Sequence, residues 1–107
     1  MIIKVENISA EIPGSLGEEQ FLTLFKSGSV KIERIVSKNH SSPPGFWYDQ
    51  DEDEWVIVLR GDATLEFERG ELVRMKEGDY VAIPRHIRHR VYKTGAETIW
   101  LAVHVRC

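Results

Sequence analysis

Hydrophobic and polar side chains alternate along much of this chain with the two-residue period of a β-strand. Read as a strand, residues 32–37 place Ile32, Arg34 and Val36 on one face and the residues between them on the other, and residues 64–68 alternate between apolar and acidic side chains. The run WVIVL at residues 55–59 is apolar without interruption, which predicts a strand buried on both faces. Further short apolar segments at residues 72–75, 80–83, 91–92 and 98–105 extend the same rhythm.

Turn-forming residues separate these segments at short intervals. They lie six to eleven residues apart, at Gly61, Gly70, Gly78, Pro84 and Gly95. Evenly spaced short strands are typical of all-β sandwiches and barrels. The sequence therefore predicts an all-β fold.

One segment near the N-terminus is open to two interpretations. Residues Gly17 to Lys26 place Phe21, Leu24 and Phe25 on one helical face, with Ser15 as a candidate N-cap. The same ten residues could equally form a strand. We therefore expect at most one short N-terminal helix.

Length and charge narrow the classes of partner. The chain has 107 residues, which suits one domain over residues 1–107. Its formal net charge of −3 gives no basic field for nucleic acid, and no apolar run approaches the roughly 20 residues of a membrane helix. Its one cysteine, Cys107, and the lack of a signal-peptide pattern favour the cytoplasm.

Two charged segments are candidates for chemistry. Residues 46–54 (FWYDQDEDE) carry five carboxylates just before the most apolar strand, and residues 84–90 (PRHIRHR) carry two histidines and three arginines. Each also has a purely structural interpretation. The first segment could be a solvated acidic loop, and the second a basic loop that pairs with it. Glu54 differs from its neighbours because it begins a buried strand, where an inward carboxylate needs a cation or a donor.

The spacing of these residues resembles the two sequence motifs of the cupins. Gly78, Pro84 and His89 match the second motif, and Glu54 and Gly61 match the end of the first. The resemblance covers about 60 central residues and implies a double-stranded β-helix, a jelly-roll-like barrel. The two histidines of the first motif fall on Trp47 and Asp49 in one register, or on Tyr48 and Gln50 in the other.

A typical cupin holds one divalent metal through three histidines and a glutamate. In the first register, the resemblance implies Asp49, Glu54 and His89 as metal ligands, with His86 as a further candidate. Oxygen and nitrogen ligands suit Mn, Fe, Zn or Ni. His104 lies in the last strand, where we expect a core histidine.

The resemblance also implies roles for the residues around the metal. If the reaction is an isomerisation, Glu54 or His89 would act as acid or base and Tyr48 as a proton donor. If it is an O₂ reaction, Asp49, Glu54 and His89 would form a facial ligand set. We expect Trp47, Gln50 and Arg34 to line the substrate pocket, while Trp55 and Trp100 pack in the core.

The leading hypothesis is a metal-dependent enzyme acting on a small molecule, of the dioxygenase or isomerase type. The alternative is a metal-free, non-catalytic cupin that binds or senses a small ligand. We also expect a homodimer, with the apolar residues 1–5 adding to a partner's sheet edge.

Overall fold

The computed structural model describes residues 2–106, which form eight β-strands in two antiparallel sheets. The larger sheet has the order β1-β2-β8-β3-β6, and the smaller has the order β5-β4-β7. The strands are β1 (Gln20–Ser27), β2 (Val30–Ser37), β3 (Asp53–Arg60), β4 (Asp62–Phe67), β5 (Leu72–Lys76), β6 (Tyr80–Ile83), β7 (His89–Thr94) and β8 (Thr98–Val105). The all-β prediction is confirmed, and both Met1 and Cys107 lie outside the described residues.

The hydrophobic core lies between the two sheets. Val56 and Val58 of β3 are buried there, whereas Trp55 and Ile57 on the other face are half-buried and Leu59 is exposed. Strand β3 is thus buried fully on one face only, because its outer side has no second sheet to cover it. This corrects the prediction of burial on both faces and the expected core position of Trp55, whereas Trp100 does lie in the core. The remaining core side chains are Ile35, Ala63, Leu65, Met75, Ile83, Val91, Trp100 and Ala102.

The segment with two interpretations is a strand. Residues 20–27 form β1, which pairs with β2 in a register that opposes Phe21 to Ile35 and Leu22 to Arg34. No helix occurs between residues 2 and 106. Pairing with β2 supplies backbone hydrogen bonds along the segment, and an isolated helix of ten residues is too short to compete.

Residues 39–50, here called the strap, run along the free edge of β7 without forming a regular strand. The Asn39 amide donates to the Gly95 carbonyl, the Ser42 amide to the Val91 carbonyl, and Tyr48 and His89 exchange backbone hydrogen bonds of 2.7 and 3.2 Å. Pro43 and Pro44 interrupt this ladder because proline has no amide hydrogen to donate. The strap carries Tyr48 and Gln50 to the start of β7.

The turn between β3 and β4 requires glycine. Gly61 has a φ of +83°, and a Cβ at this position would collide with the carbonyl oxygen of Glu97. This turn fixes how β3, which begins at the candidate site, joins the smaller sheet.

The edge strand β1 leaves apolar side chains in solvent. Phe21, Leu22, Leu24 and Phe25 are all exposed, and residues 2–5 are exposed and outside any strand. The predicted homodimer stays a prediction. None of the described segments forms a helix long and apolar enough to cross a membrane.

Candidate functional site

A narrow cavity of about 60 Å³ lies between the sheets, close to the starts of β3 and β7. This volume is room for a few water molecules or for one end of a small organic molecule. Its apolar wall is formed by Phe21, Ile35, Val56, Leu65, Ile83, Val91 and Trp100. Its polar side chains are Glu19, Glu33, Tyr48, Gln50, Glu54, His89 and His104.

Glu54 and His89 face each other across this cavity. The Nδ1 of His89 donates to the carbonyl oxygen of Ile87 at 2.9 Å, since a carbonyl can only accept. The second nitrogen, Nε2, lies 3.5 Å from Oε1 of Glu54. In a neutral imidazole this Nε2 is an acceptor, and so is an ionised carboxylate. The two atoms are therefore stable together only when a proton, or a donor from a ligand, lies between them.

Tyr48 stacks on His89 from the strap, with ring centroids 5.5 Å apart. Burial, together with the nearby charges of Glu19, Glu54 and Glu33, raises the pKa of Tyr48 to about 12. The phenol therefore keeps its proton at neutral pH and can donate it in a hydrogen bond.

Glu33 and His104 form a second pair, buried deeper than the first. Nε2 of His104 lies 2.9 Å from Oε1 of Glu33, and Nδ1 lies 3.3 Å from Oε1 of Glu52, without hydrogen-bond geometry on that side. Burial alone would lower the pKa of His104, but the Glu33 hydrogen bond and the surrounding carboxylates raise it. Burial alone would raise the pKa of Glu33, but the His104 hydrogen bond and the charges of Lys31 and His104 lower it.

Some polar side chains of the cavity are hydrogen-bonded to other protein groups, and others are available to a ligand. Glu19 accepts a short hydrogen bond from the Ser37 hydroxyl, which in turn accepts from the Trp100 indole. Glu33 and His104 hold each other. The groups that face the cavity with capacity for a ligand are Tyr48, Gln50, Glu54 and His89.

Trp47, Asp49 and His86 do not line this cavity. Successive side chains of an extended segment point to opposite sides, so Tyr48 and Gln50 face inward while Trp47 and Asp49 face outward. Nδ1 of His86 lies 2.8 Å from Oδ1 of Asp49, and both side chains are about half exposed. The structure therefore corresponds to the register with Tyr48 and Gln50, and it corrects the expectation that Trp47 and Asp49 point into the barrel.

Arg34 also lies outside the cavity. Its guanidinium donates to the carbonyl oxygens of Ile8 and Ala10 and to the side chain of Gln20. Alternation along β2 explains this placement: Glu33 and Ile35 line the cavity, so Arg34 between them points to the opposite face. The sequence contained this alternation but left the choice of inner face open, and Glu33 was therefore missed.

The predicted metal ligands do not come together. Asp49 pairs with His86 outside the cavity, and Glu54 lies with His89 inside it. Among residues 2–106 there is no group of three His, Cys, Asp or Glu side chains placed to hold a metal ion. Tyr48 and Gln50 occupy the positions of two cupin histidines, and a protonated phenol and a neutral amide are weak ligands for a transition metal. This donor set does not fit the predicted metal.

The chain matches a known protein family. A family model described as a cupin domain matches residues 34–104. No functionally curated protein matches the chain.

Several solved structures share the fold. A protein from Ralstonia eutropha, named as a candidate mannose-6-phosphate isomerase, is 42% identical with a TM-score of 0.93, over 98% of this chain and 100% of that one. A Streptococcus pyogenes protein of unknown function is 21% identical with a TM-score of 0.78, over 100% and 90%. A cupin superfamily protein from Desulfitobacterium hafniense is 16% identical with a TM-score of 0.76, over 90% and 84%.

Proposed function

Because the chain belongs to the cupin family, we propose that it is a small cupin enzyme of the isomerase type. The proposed reaction moves a proton between neighbouring carbons of a small hydroxycarbonyl compound. The observation that carries this proposal is the Glu54–His89 pair, whose Oε1 and Nε2 atoms lie 3.5 Å apart in the cavity lining beside a protonated tyrosine. The name of the Ralstonia eutropha protein, 42% identical, supports the same reaction class.

The Glu54–His89 pair is suited to accept and return a proton. In the proposed reaction, one of the two takes the proton from the carbon that carries the hydroxyl group. The electrons of that C–H bond form the C=C bond of an enediol. The second member of the pair holds the proton in a hydrogen bond until it is returned to the neighbouring carbon. No oxidant or reductant is needed, because the product is an isomer of the substrate.

Tyr48 completes the transfer at the oxygen atoms. Its hydroxyl donates a proton to the substrate carbonyl oxygen as the enediol forms and regains one from the neighbouring hydroxyl as the product forms. A phenol with a pKa of about 12 remains protonated between turnovers, so it begins each cycle as a donor. The Gln50 amide lies on the same wall and can orient the hydroxyl groups of the substrate.

The predicted divalent metal has no part in this mechanism, because its donor set does not fit. The dioxygenase alternative depends on a redox-active metal and is therefore less well supported than isomerisation. The second candidate function is ligand binding without catalysis. It is favoured by the same open hydrogen-bonding groups, and the experiment below separates the two functions.

The test is proton exchange at carbon. The protein is incubated in D₂O with glyceraldehyde, dihydroxyacetone, mannose or fructose, and deuterium incorporation and isomer formation are followed by ¹H NMR, with and without EDTA. We expect exchange that persists in EDTA and is lost in Glu54→Gln and His89→Gln. Glu71→Gln, an exposed carboxylate in the smaller sheet's turn, is the matched control and should keep full activity.

The outcome decides between the two functions. Binding of one of these compounds without any exchange would support the ligand-binding alternative and overturn the isomerase proposal. Exchange that is abolished by EDTA and restored by one divalent metal would overturn the metal-independent mechanism.

A further inference from the structure

We infer that the cavity selects hydroxycarbonyl compounds without an anionic group and discriminates against their phosphorylated forms. The inference names a substrate class for the proposed function and rests on that function.

The first argument is the charge of the lining residues. Three carboxylates, Glu19, Glu33 and Glu54, line the cavity, and none of its described lining residues is a lysine or arginine. His104 offsets one of these charges through its bond to Glu33. Lys31, which does not line the cavity, lies 3.8 Å from Glu33 and pairs with the same carboxylate. The cavity therefore favours neutral donors such as hydroxyl groups.

The second argument is the segment beside the cavity. Residues 49–54 carry five carboxylates and lead directly into β3. Two arginines pair with this segment: Arg106 lies 3.2 Å from Asp51, and Arg85 lies 3.3 Å from Asp53. Each guanidinium already has a carboxylate partner that offsets its positive charge, which weakens its attraction for a phosphate.

The third argument is what phosphate recognition requires. Proteins bind phosphate through arginine forks, lysines or the amides at a helix N-terminus. The described residues form no helix, and the cavity lining supplies neither cation. A phosphate dianion entering here would lose hydration and meet carboxylates of the same sign, which disfavours its binding.

The size of the cavity points in the same direction. A volume of about 60 Å³ accommodates the two or three reacting carbons and their oxygens. The rest of a longer substrate extends past the acidic segment of residues 49–54, two of which line the cavity, so a terminal phosphate would face these carboxylates instead. Short, uncharged hydroxycarbonyl compounds therefore fit both the space and the charge.

The experiment compares matched pairs: glyceraldehyde with glyceraldehyde 3-phosphate, and mannose with mannose 6-phosphate. Deuterium exchange at carbon gives kcat/KM for each compound. We expect kcat/KM of the unphosphorylated member to be at least tenfold higher at low ionic strength. This ratio should decrease as added salt screens the carboxylates. Equal or better use of the phosphorylated member would overturn the inference.

A pair of variants ties the discrimination to the cavity charge. Glu19→Gln removes a carboxylate from the lining, whereas Glu18→Gln removes its exposed neighbour outside the lining. We expect Glu19→Gln to lower the ratio of kcat/KM between the unphosphorylated and phosphorylated compounds severalfold. Glu18→Gln should leave this ratio unchanged. Equal effects of the two variants, or none in Glu19→Gln, would assign the discrimination elsewhere and overturn the inference.

Binding separates this inference from the proposed function. If no compound undergoes exchange, the isomerase proposal fails, and ¹⁵N-labelled protein is titrated with dihydroxyacetone and dihydroxyacetone phosphate. Shifts of the Tyr48 and His89 amides with dihydroxyacetone alone would support the charge selection. Shifts with the phosphate, or with neither compound, would overturn it.

Discussion

Two histidine–glutamate pairs line the same cavity, and they differ in the distance between the two side chains. Glu33 and His104 are 2.9 Å apart, with the second histidine nitrogen facing Glu52 at 3.3 Å. Glu54 and His89 are 3.5 Å apart, and the second histidine nitrogen donates to a backbone carbonyl. The same two residue types thus form a hydrogen-bonded pair in one place and a more widely separated pair in the other.

The difference shows that surroundings rather than residue type decide what such a pair does. His104 lies among three carboxylates, so its charged form is favoured. Glu33 and His104 therefore bond to each other rather than to a ligand. His89 has its tautomer fixed by the Ile87 carbonyl and turns the other nitrogen toward the cavity. We therefore assign stability to the first pair and proton transfer to the second.

The largest expected effect concerns the Glu54–His89 pair. Glu54→Gln should lower the rate of deuterium exchange at carbon by roughly 10²–10⁴-fold, the usual contribution of a positioned acid or base. Its unfolding midpoint in urea should fall less than that of Glu33→Gln, because Glu54 acts on His104 through its charge alone, whereas Glu33 also accepts a hydrogen bond from it. Retention of exchange within about threefold would remove Glu54 from the reaction.

Variants of the Glu33–His104 pair should mainly lower the free energy of unfolding. Glu33→Gln leaves His104 buried without its anion, and losing one partner of a buried pair costs about 3–5 kcal/mol. Urea unfolding of Glu33→Gln, His104→Asn and the double variant measures this cost and the coupling between the two residues. Additive effects in the double variant would contradict a specific pair.

The pH dependence of stability sharpens the same contrast. The raised pKa of His104 adds stability that is complete below its unfolded value of 6.5 and lost as pH rises through the folded pKa. The lowered pKa of Glu33 adds stability that is complete above its unfolded value of 4.5 and lost as pH falls through the folded pKa. The contribution of the pair should therefore be greatest between about pH 4.5 and 6.5.

The measurement is the unfolding free energy from pH 3 to 9. Subtracting values for the double variant Glu33→Gln/His104→Asn cancels the titration of the other groups to first order. A difference that stays flat across the whole range would contradict the pair's assigned role.

The smallest expected effect concerns a third pair, Asp49 and His86, outside the cavity. His86 has a φ of +62°, a conformation that costs a residue with a side chain up to about 2 kcal/mol. His86→Gly should therefore leave the protein as stable as before or slightly more stable, while faster amide exchange at residues 46–50 reports a looser strap. Asn39→Gly is the control, because Asn39 has a similar φ of +59° and asparagine tolerates it well. Unchanged strap exchange in His86→Gly would show that the pair does not hold the strap.

Much of the fold could be predicted because it depends on local patterns. Alternation identified the strands, and the glycine, proline and histidine spacings identified the cupin pattern with Glu54 and His89. The segment at residues 17–26 remained open because its ten residues satisfy both periods, and only pairing with β2 makes it a strand.

The candidate site was predictable only in part. Tyr48, Gln50, Glu54 and His89 were all named from the sequence and line one cavity. Glu33 was missed, and Trp47, Asp49, His86 and Arg34 lie outside the lining. For the residues of β2 and the strap, the difference depends on which face of an extended segment points inward, and a shift of one residue reverses every face. His86 lies in a turn, with a φ of +62°.

The sequence by itself determined the strand rhythm, the turns and the residue types available for chemistry, because these follow from neighbours along the chain. Only the tertiary structure decided the register of the strap, the inner face of β2 and the partner of each histidine. Those choices depend on contacts between residues far apart in the chain, such as Glu33 with His104 and Asp49 with His86. Whether a histidine and a carboxylate form a hydrogen bond or lie further apart depends on the packing around them, which local sequence does not encode.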